Sequence, residues 1–339
     1  MRRFVSVFFP LLLLFLPVIL LQPEEPAHFP ELLTLAADRV RDFHRQYGAL
    51  LTPAWYAEAC RRIVALAEEA DRQPALAAAV RLVELARLGG NPAHTARVLV
   101  CRAQVLLRAA PDPALPLRLF DEALALGEQA GDHSVVGDAL VGKGRLLLHR
   151  GDIPAAEGIL YQALARCRQY ALWSGAARAA LALGDLELSR PDQEKAEGFY
   201  RLALRHTYEG RDPETRVPVR IALGDLAMAR KQFELARDHY EKALRDAGAD
   251  LPPRLGGELS HRIARALYAA SDSRSAADYW QKALIWYRKA GDGEAVITTI
   301  IDLAGALHDA ARITEARSTY LYGLQATDGA APDTLAALN

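Results

Sequence analysis

Between roughly residue 52 and residue 331 the apolar positions recur at three and four, pause at a turn, and resume. The whole pattern returns every forty residues, seven times. Its clearest copies read LALGDLELSR with AEGFYRLALR (181–190, 196–205) and IALGDLAMAR with ARDHYEKALR (221–230, 236–245). Spacing of three and four puts apolar side chains on one stripe of an α-helix. Each unit holds two such stretches, split by turn residues such as Arg150-Gly151-Asp152 and Arg190-Pro191-Asp192. The pattern predicts a helical hairpin, repeated.

Small and bulky residues alternate in register. Gly144, Gly184 and Gly224 sit forty apart, continued by Ala264 and Ala304. Twelve residues on stand Ala156, Ala196, Ala236, Ala276 and Ala316. Then come Leu160, Tyr200, Tyr240, Trp280 and Tyr320, followed by Ala163, Ala203, Ala243, Ala283 and Gly323. This spacing predicts Gly184 facing Ala196 across the hairpin, with Tyr200 filling the groove to the next one. Helix-start signals precede the glycine position: Thr52-Pro53, Asn91-Pro92, Asp132, Ser174, Asp212-Pro213, Pro252-Pro253 and Asp292. Capping side chains and an early proline suit a first helical turn. They predict a first helix of about four turns at 3.6 residues per turn.

A Leu-Gly pair in the first helix, then Ala, an aromatic and Ala-Leu in the second, resembles the tetratricopeptide repeat. The unit departs from the family's usual length of about 34 residues, and is closer to the longer repeats of the kinesin light chain. The resemblance implies an all-α, right-handed α-solenoid. It also implies binding and assembly rather than catalysis, with first helices lining an inner groove. Carried over in phase, the groove positions are Arg102, Arg108, Arg145, His149, Arg178, Asp185, Asp225, His261, Arg262, Arg265, Tyr268, Asp302 and His308. Two stretches are basic, and Tyr268 lies near Arg265. Guanidinium forks grip carboxylates, so an acidic or C-terminal carboxylate segment suits them; the alternative is a plain solvated face. The family's Lys/Asn clamp for chaperone tails is not reproduced.

Length alone, 339 residues, would predict two domains; a solenoid instead adds units without starting a second core. The divisions predicted are an apolar N-terminus (1–22), a Pro-rich spacer (23–30), a capping half-repeat (31–51), seven repeats (52–331) and a tail (332–339). A net charge of −1 gives no bulk attraction to nucleic acid. Phe4 to Leu21 is an apolar run behind Arg2-Arg3, spanning about 27 Å as a helix. It reads as a single-pass anchor in a bacterial inner membrane with the repeats in the periplasm, or as a cleaved signal peptide.

Local conflicts mark particular units. Glu31 to Tyr47 reads as one second-helix-like segment. Leu76, Val80 and Val83 hold the phase of the first repeat. Pro113 and Pro116 predict a shortened second helix in the second repeat, and Pro218 a late start or a kink in the fifth. Cys60 and Cys101 fall on first helices of neighbouring units and Cys167 on a second helix; each reads as a small buried hydrophobe, with one disulfide open in an oxidising compartment. No metal cluster, phosphate loop or nucleophile motif stands out; Gly142-Lys143-Gly144 is mid-helix packing. The expectation is a tethered scaffold with a protein or peptide partner, and no cofactor. The alternative is a sensory module.

Overall fold

A computed structural model of the chain describes residues 28–67, 72–109, 114–190, 192–249 and 251–326. These residues are helical throughout, with no strand among them. Two short helices, α1 (Phe29–Thr34) and α2 (Val40–Tyr47), precede the array. The first helices of the hairpins are α3 (Pro53–Leu66), α5 (Pro92–Ala109), α7 (His133–His149), α9 (Trp173–Ser189), α11 (Pro213–Ala229), α13 (Pro253–Ala269) and α15 (Gly293–Asp309). Their partners are α4 (Gln73–Leu88), α6 (Ala114–Ala130), α8 (Ile153–Gln169), α10 (Gln193–Glu209), α12 (Phe233–Asp246), α14 (Ser273–Ala290) and α16 (Ile313–Ala326). From α3 to α16 consecutive helices pack on one another, and α3, α5, α7, α9 and α11 also touch in succession. The result is an α-solenoid. The apolar run at 4–21 and the tail lie outside the described residues, within which no helix is long and apolar enough to cross a membrane.

The turns repeat one device. Asp132, Asp212 and Asp292 accept the backbone N–H three residues on, at 3.1, 2.9 and 3.1 Å, and so cap α7, α11 and α15. Asp152 does the same for α8, directly after Gly151 at φ 77°. A carboxylate there satisfies an orphan donor and meets the positive end of the helix dipole. Ser174 is an exception. It lies inside α9, whose N-cap is Leu172 with no side-chain bond.

Within the hairpins the glycines make room for the bulky residues. A Cβ on Gly184 would stand 2.3 Å from Cε1 of Tyr200, and one on Gly144 2.5 Å from Cδ2 of Leu160. The bulky side chain therefore lies on the glycine of its own hairpin. Gly142 is likewise covered by Phe120 of the preceding hairpin, so the Gly-Lys-Gly run is packing. Ala196 is wholly buried. Ala196→Arg is expected to cost at least about 3 kcal/mol in chemical denaturation, adding an unpaired buried charge to overpacking; an unshifted midpoint would contradict that packing.

Four further expectations change. The segment after Glu31 is broken at Leu35–Ala36, not continuous. Both halves then reach α4, and Arg81 from that helix donates to the carbonyls of Leu32 and Leu33 that the break exposes. In α4 Val83 is buried as expected, but Val80 is 48% exposed and the burial falls on Ala75, Ala79 and Leu82 beside it. The starts of α3, α5 and α7, at 53, 92 and 133, are 39 and 41 apart before the later first helices keep forty. Pro116 does not shorten α6, which keeps 17 residues, because a first-turn proline forfeits no intrahelical donor. Pro218 sits inside an uninterrupted α11, with its ring facing solvent. Pro218→Ala should therefore raise stability by about 1–3 kcal/mol, since a donor to the Glu214 carbonyl returns and no packing is lost; a lower melting temperature would argue that the proline is accommodated without cost.

Candidate functional site

First helices alone build a groove at the N-terminal half of the array. Its larger cavity, about 670 Å³, is walled by Gln104 and Arg108 from α5, by Asp138, Arg145 and His149 from α7, and by Arg178 from α9, with Arg150 at the rim. A second cavity of about 370 Å³ continues it towards α3 and shares Gln104, Asp138 and Arg178. On α5 the groove residues Arg97, Cys101, Gln104 and Arg108 follow helical spacing, which aims them one way.

The larger cavity is strongly cationic. Asp138 is its one lining carboxylate, and Arg178 binds it at 2.5 Å. Burial pushes the Asp138 carboxyl up from its usual range against the pull of Arg178. Arg145 and Arg150 are exposed and have no ion pair among the described residues. Farther along α9, Asp185 feels the field of Arg145 and His149; burial raises its pKa, while the Tyr200 hydroxyl, donating at 2.8 Å, opposes that.

The predicted groove residues divide. Arg108, Arg145, His149 and Arg178 come together here. Arg102 does not: one residue past Cys101 on α5, it is turned about 100° away, and feels Arg87 of α4 and Glu122 of α6 instead. In the sixth unit the basic groups are already engaged. Arg262 binds Asp225 at 3.3 Å and Glu258 at 2.5 Å. His261 Nε2 meets Asp302 at 3.2 Å, and the Tyr268 hydroxyl donates to Asp309 at 2.5 Å, with His308 beside the same carboxylate. Arg265 stays exposed, near enough to Tyr240 to act on its ionisation. The contacts of Arg262 with Asp225, His261 with Asp302 and Tyr268 with Asp309 bind neighbouring repeats to each other. Sequence reasoning missed Asp138, Arg150 and Gln104. Asp138 precedes Arg178 by the repeat length, which is the signal that would have exposed the pair.

Tyrosine burial gives a pH prediction. Tyr200 and Tyr240 are 1% exposed and donate to Asp185 and Asp225 at 2.8 and 2.7 Å. Burial, then the neighbouring carboxylate, raises both phenols far above 10.0. A raised folded pKa means that this stability is intact below the unfolded value and is lost as pH climbs past it. Unfolding free energy should fall steeply above about pH 10, with the tyrosinate absorbance of these two residues appearing only as the helices melt. Ionisation of both rings with helicity intact would contradict their placement.

No protein-family model and no curated protein matches this chain. Solved structures do. The Cut9–Hcn1 hetero-tetramer of the APC/C aligns at TM-score 0.59 and 14% identity, over 92% of this chain and 55% of that one. BtubC from P. vanneervenii aligns at 0.56 and 19%, over 63% of this chain and 90% of that one. The apo form of RapI aligns at 0.56 and 11%, over 91% and 79%. The fold is a tetratricopeptide-like helical repeat. In the larger cavity the exposed arginines Arg108 and Arg145 are carried by first helices α5 and α7.

Proposed function

We propose that the chain is a membrane-tethered docking scaffold of the bacterial cell envelope. It seats an acidic segment of a protein partner in the groove crossed by α5, α7 and α9. The observation that carries this reading is the charge imbalance of that groove: Arg145, Arg150 and Arg178 face the single lining carboxylate of Asp138, and Arg145 and Arg150 have no ion pair among the described residues. A run of glutamates or a chain-terminal carboxylate supplies the missing anions, and guanidinium pairs grip it in bidentate fashion. The role is capture rather than catalysis, and no cofactor takes part. The apolar run from Phe4 to Leu21 is the proposed tether, with the repeats in the periplasm.

Fluorescence titration of the full chain with a labelled glutamate-rich peptide tests the docking half. Binding should weaken steeply with added salt, and a lysine-rich peptide of equal length should not bind. Equal binding of the two peptides would overturn it. For the tether, N-terminal sequencing of the membrane fraction should find Met1 or Arg2; a chain starting beyond residue 22 would refute anchoring.

A further inference from the structure

We propose that Cys60 and Cys101 are a redox-active pair that closes into a disulfide and staples the first two hairpins at one end of the groove. Cys60 lies on α3 and Cys101 on α5, helices that pack directly on one another. The Cys101 thiol points at Cys60, donating to its carbonyl oxygen at 3.7 Å. Both line the 370 Å³ cavity, so the pair is reachable from the groove. They differ in access: Cys60 is partly exposed and Cys101 is 3% exposed. Cys167 has no such arrangement. It fills the space left by Gly137 and Gly175, where added Cβ atoms would stand 2.6 and 2.7 Å from its Sγ.

The asymmetry dictates an order. A small-molecule disulfide of the oxidised glutathione class meets Cys60 first. The Cys60 thiolate attacks one sulfur, forming a mixed disulfide and expelling one thiolate. Cys101 then gives its proton to solvent and attacks Sγ of Cys60, expelling the second. Two protein thiols are oxidised, one small disulfide is reduced to two thiols, and the two cysteine protons end on the leaving groups. The contact with Cys60, then burial, holds the Cys101 thiol well above the ordinary range. Closure therefore waits on Cys101 deprotonation, and its rate rises with pH across the neutral and mildly alkaline range, because the thiolate is the attacking species. Arg61 and Arg97 on the same cavity wall suit the carboxylates of a glutathione-type reagent.

The test exposes the full reduced chain to oxidised glutathione, digests it without reduction and reads the peptides by mass spectrometry. The expected product joins the Cys60 and Cys101 peptides within a monomer, two hydrogen masses lighter than their sum, and raises the melting temperature. In the Cys101→Ala variant, glutathione should remain trapped on Cys60. Wild-type protein that accumulates stable glutathione adducts, pairs either residue with Cys167, or leaves Cys60 unreacted at alkaline pH would overturn the inference.

Discussion

Gly224→Leu will destabilise the fifth hairpin by about 3 kcal/mol or more. A Cβ at this position would lie 2.4 Å from Cε1, 2.7 Å from Cδ1 and 2.8 Å from Cζ of Tyr240. The ring cannot swing away, because Tyr240 is 1% exposed and its hydroxyl is tied to Asp225 at 2.7 Å. Either the helices separate or the ring leaves and abandons its hydrogen bond. Overpacking costs about 1–3 kcal/mol and an orphaned buried polar group about 1–3 more. Denaturant midpoints measure it, and a double-mutant cycle assigns the cause. Combined with Tyr240→Ala, the leucine should cost clearly less than the two changes summed, because they share one volume. Strict additivity would mean that Gly224 and Tyr240 do not face each other.

The second large effect is on capture. Arg145→Glu combined with Arg150→Glu is expected to weaken binding of a glutamate-rich peptide by at least about tenfold, while the melting temperature stays put. Both side chains are exposed and support no ion pair among the described residues, so reversing them breaks nothing in the scaffold. Arg262→Glu should do the opposite. It removes the cation shared by Asp225 and Glu258 and sets a third carboxylate beside them, which lowers stability but leaves capture intact. If Arg262→Glu abolished binding and the Arg145/Arg150 pair did not, the docking surface would lie in the sixth unit.

The contrast between these two clusters shows what was legible in the chain. Hairpins, caps and the small–bulky alternation are local and periodic, so Asp212-Pro213 and the Gly224 position announce themselves. Which side of a first helix meets the groove is also periodic, but it depends on a one-residue phase. Arg102, one step from Cys101, was lost to that. Whether a cation is free depends on a carboxylate a whole repeat away, as with Arg262 and Asp225 or Tyr268 and Asp309. Such pairs are invisible within one helix but follow from comparing positions one period apart. The break at Leu35–Ala36 had no local signal, because it depends on Arg81 from a later helix.

Photo-crosslinking of a captured partner tests the docking surface most directly. A photoreactive residue would replace Gln104 or His149 in the groove, and, separately, exposed Tyr161 or Tyr208 on the second helices α8 and α10. Crosslinks to the partner should form from Gln104 and His149 and not from Tyr161 or Tyr208. Crosslinks confined to Tyr161 and Tyr208 would contradict a partner held between α5, α7 and α9.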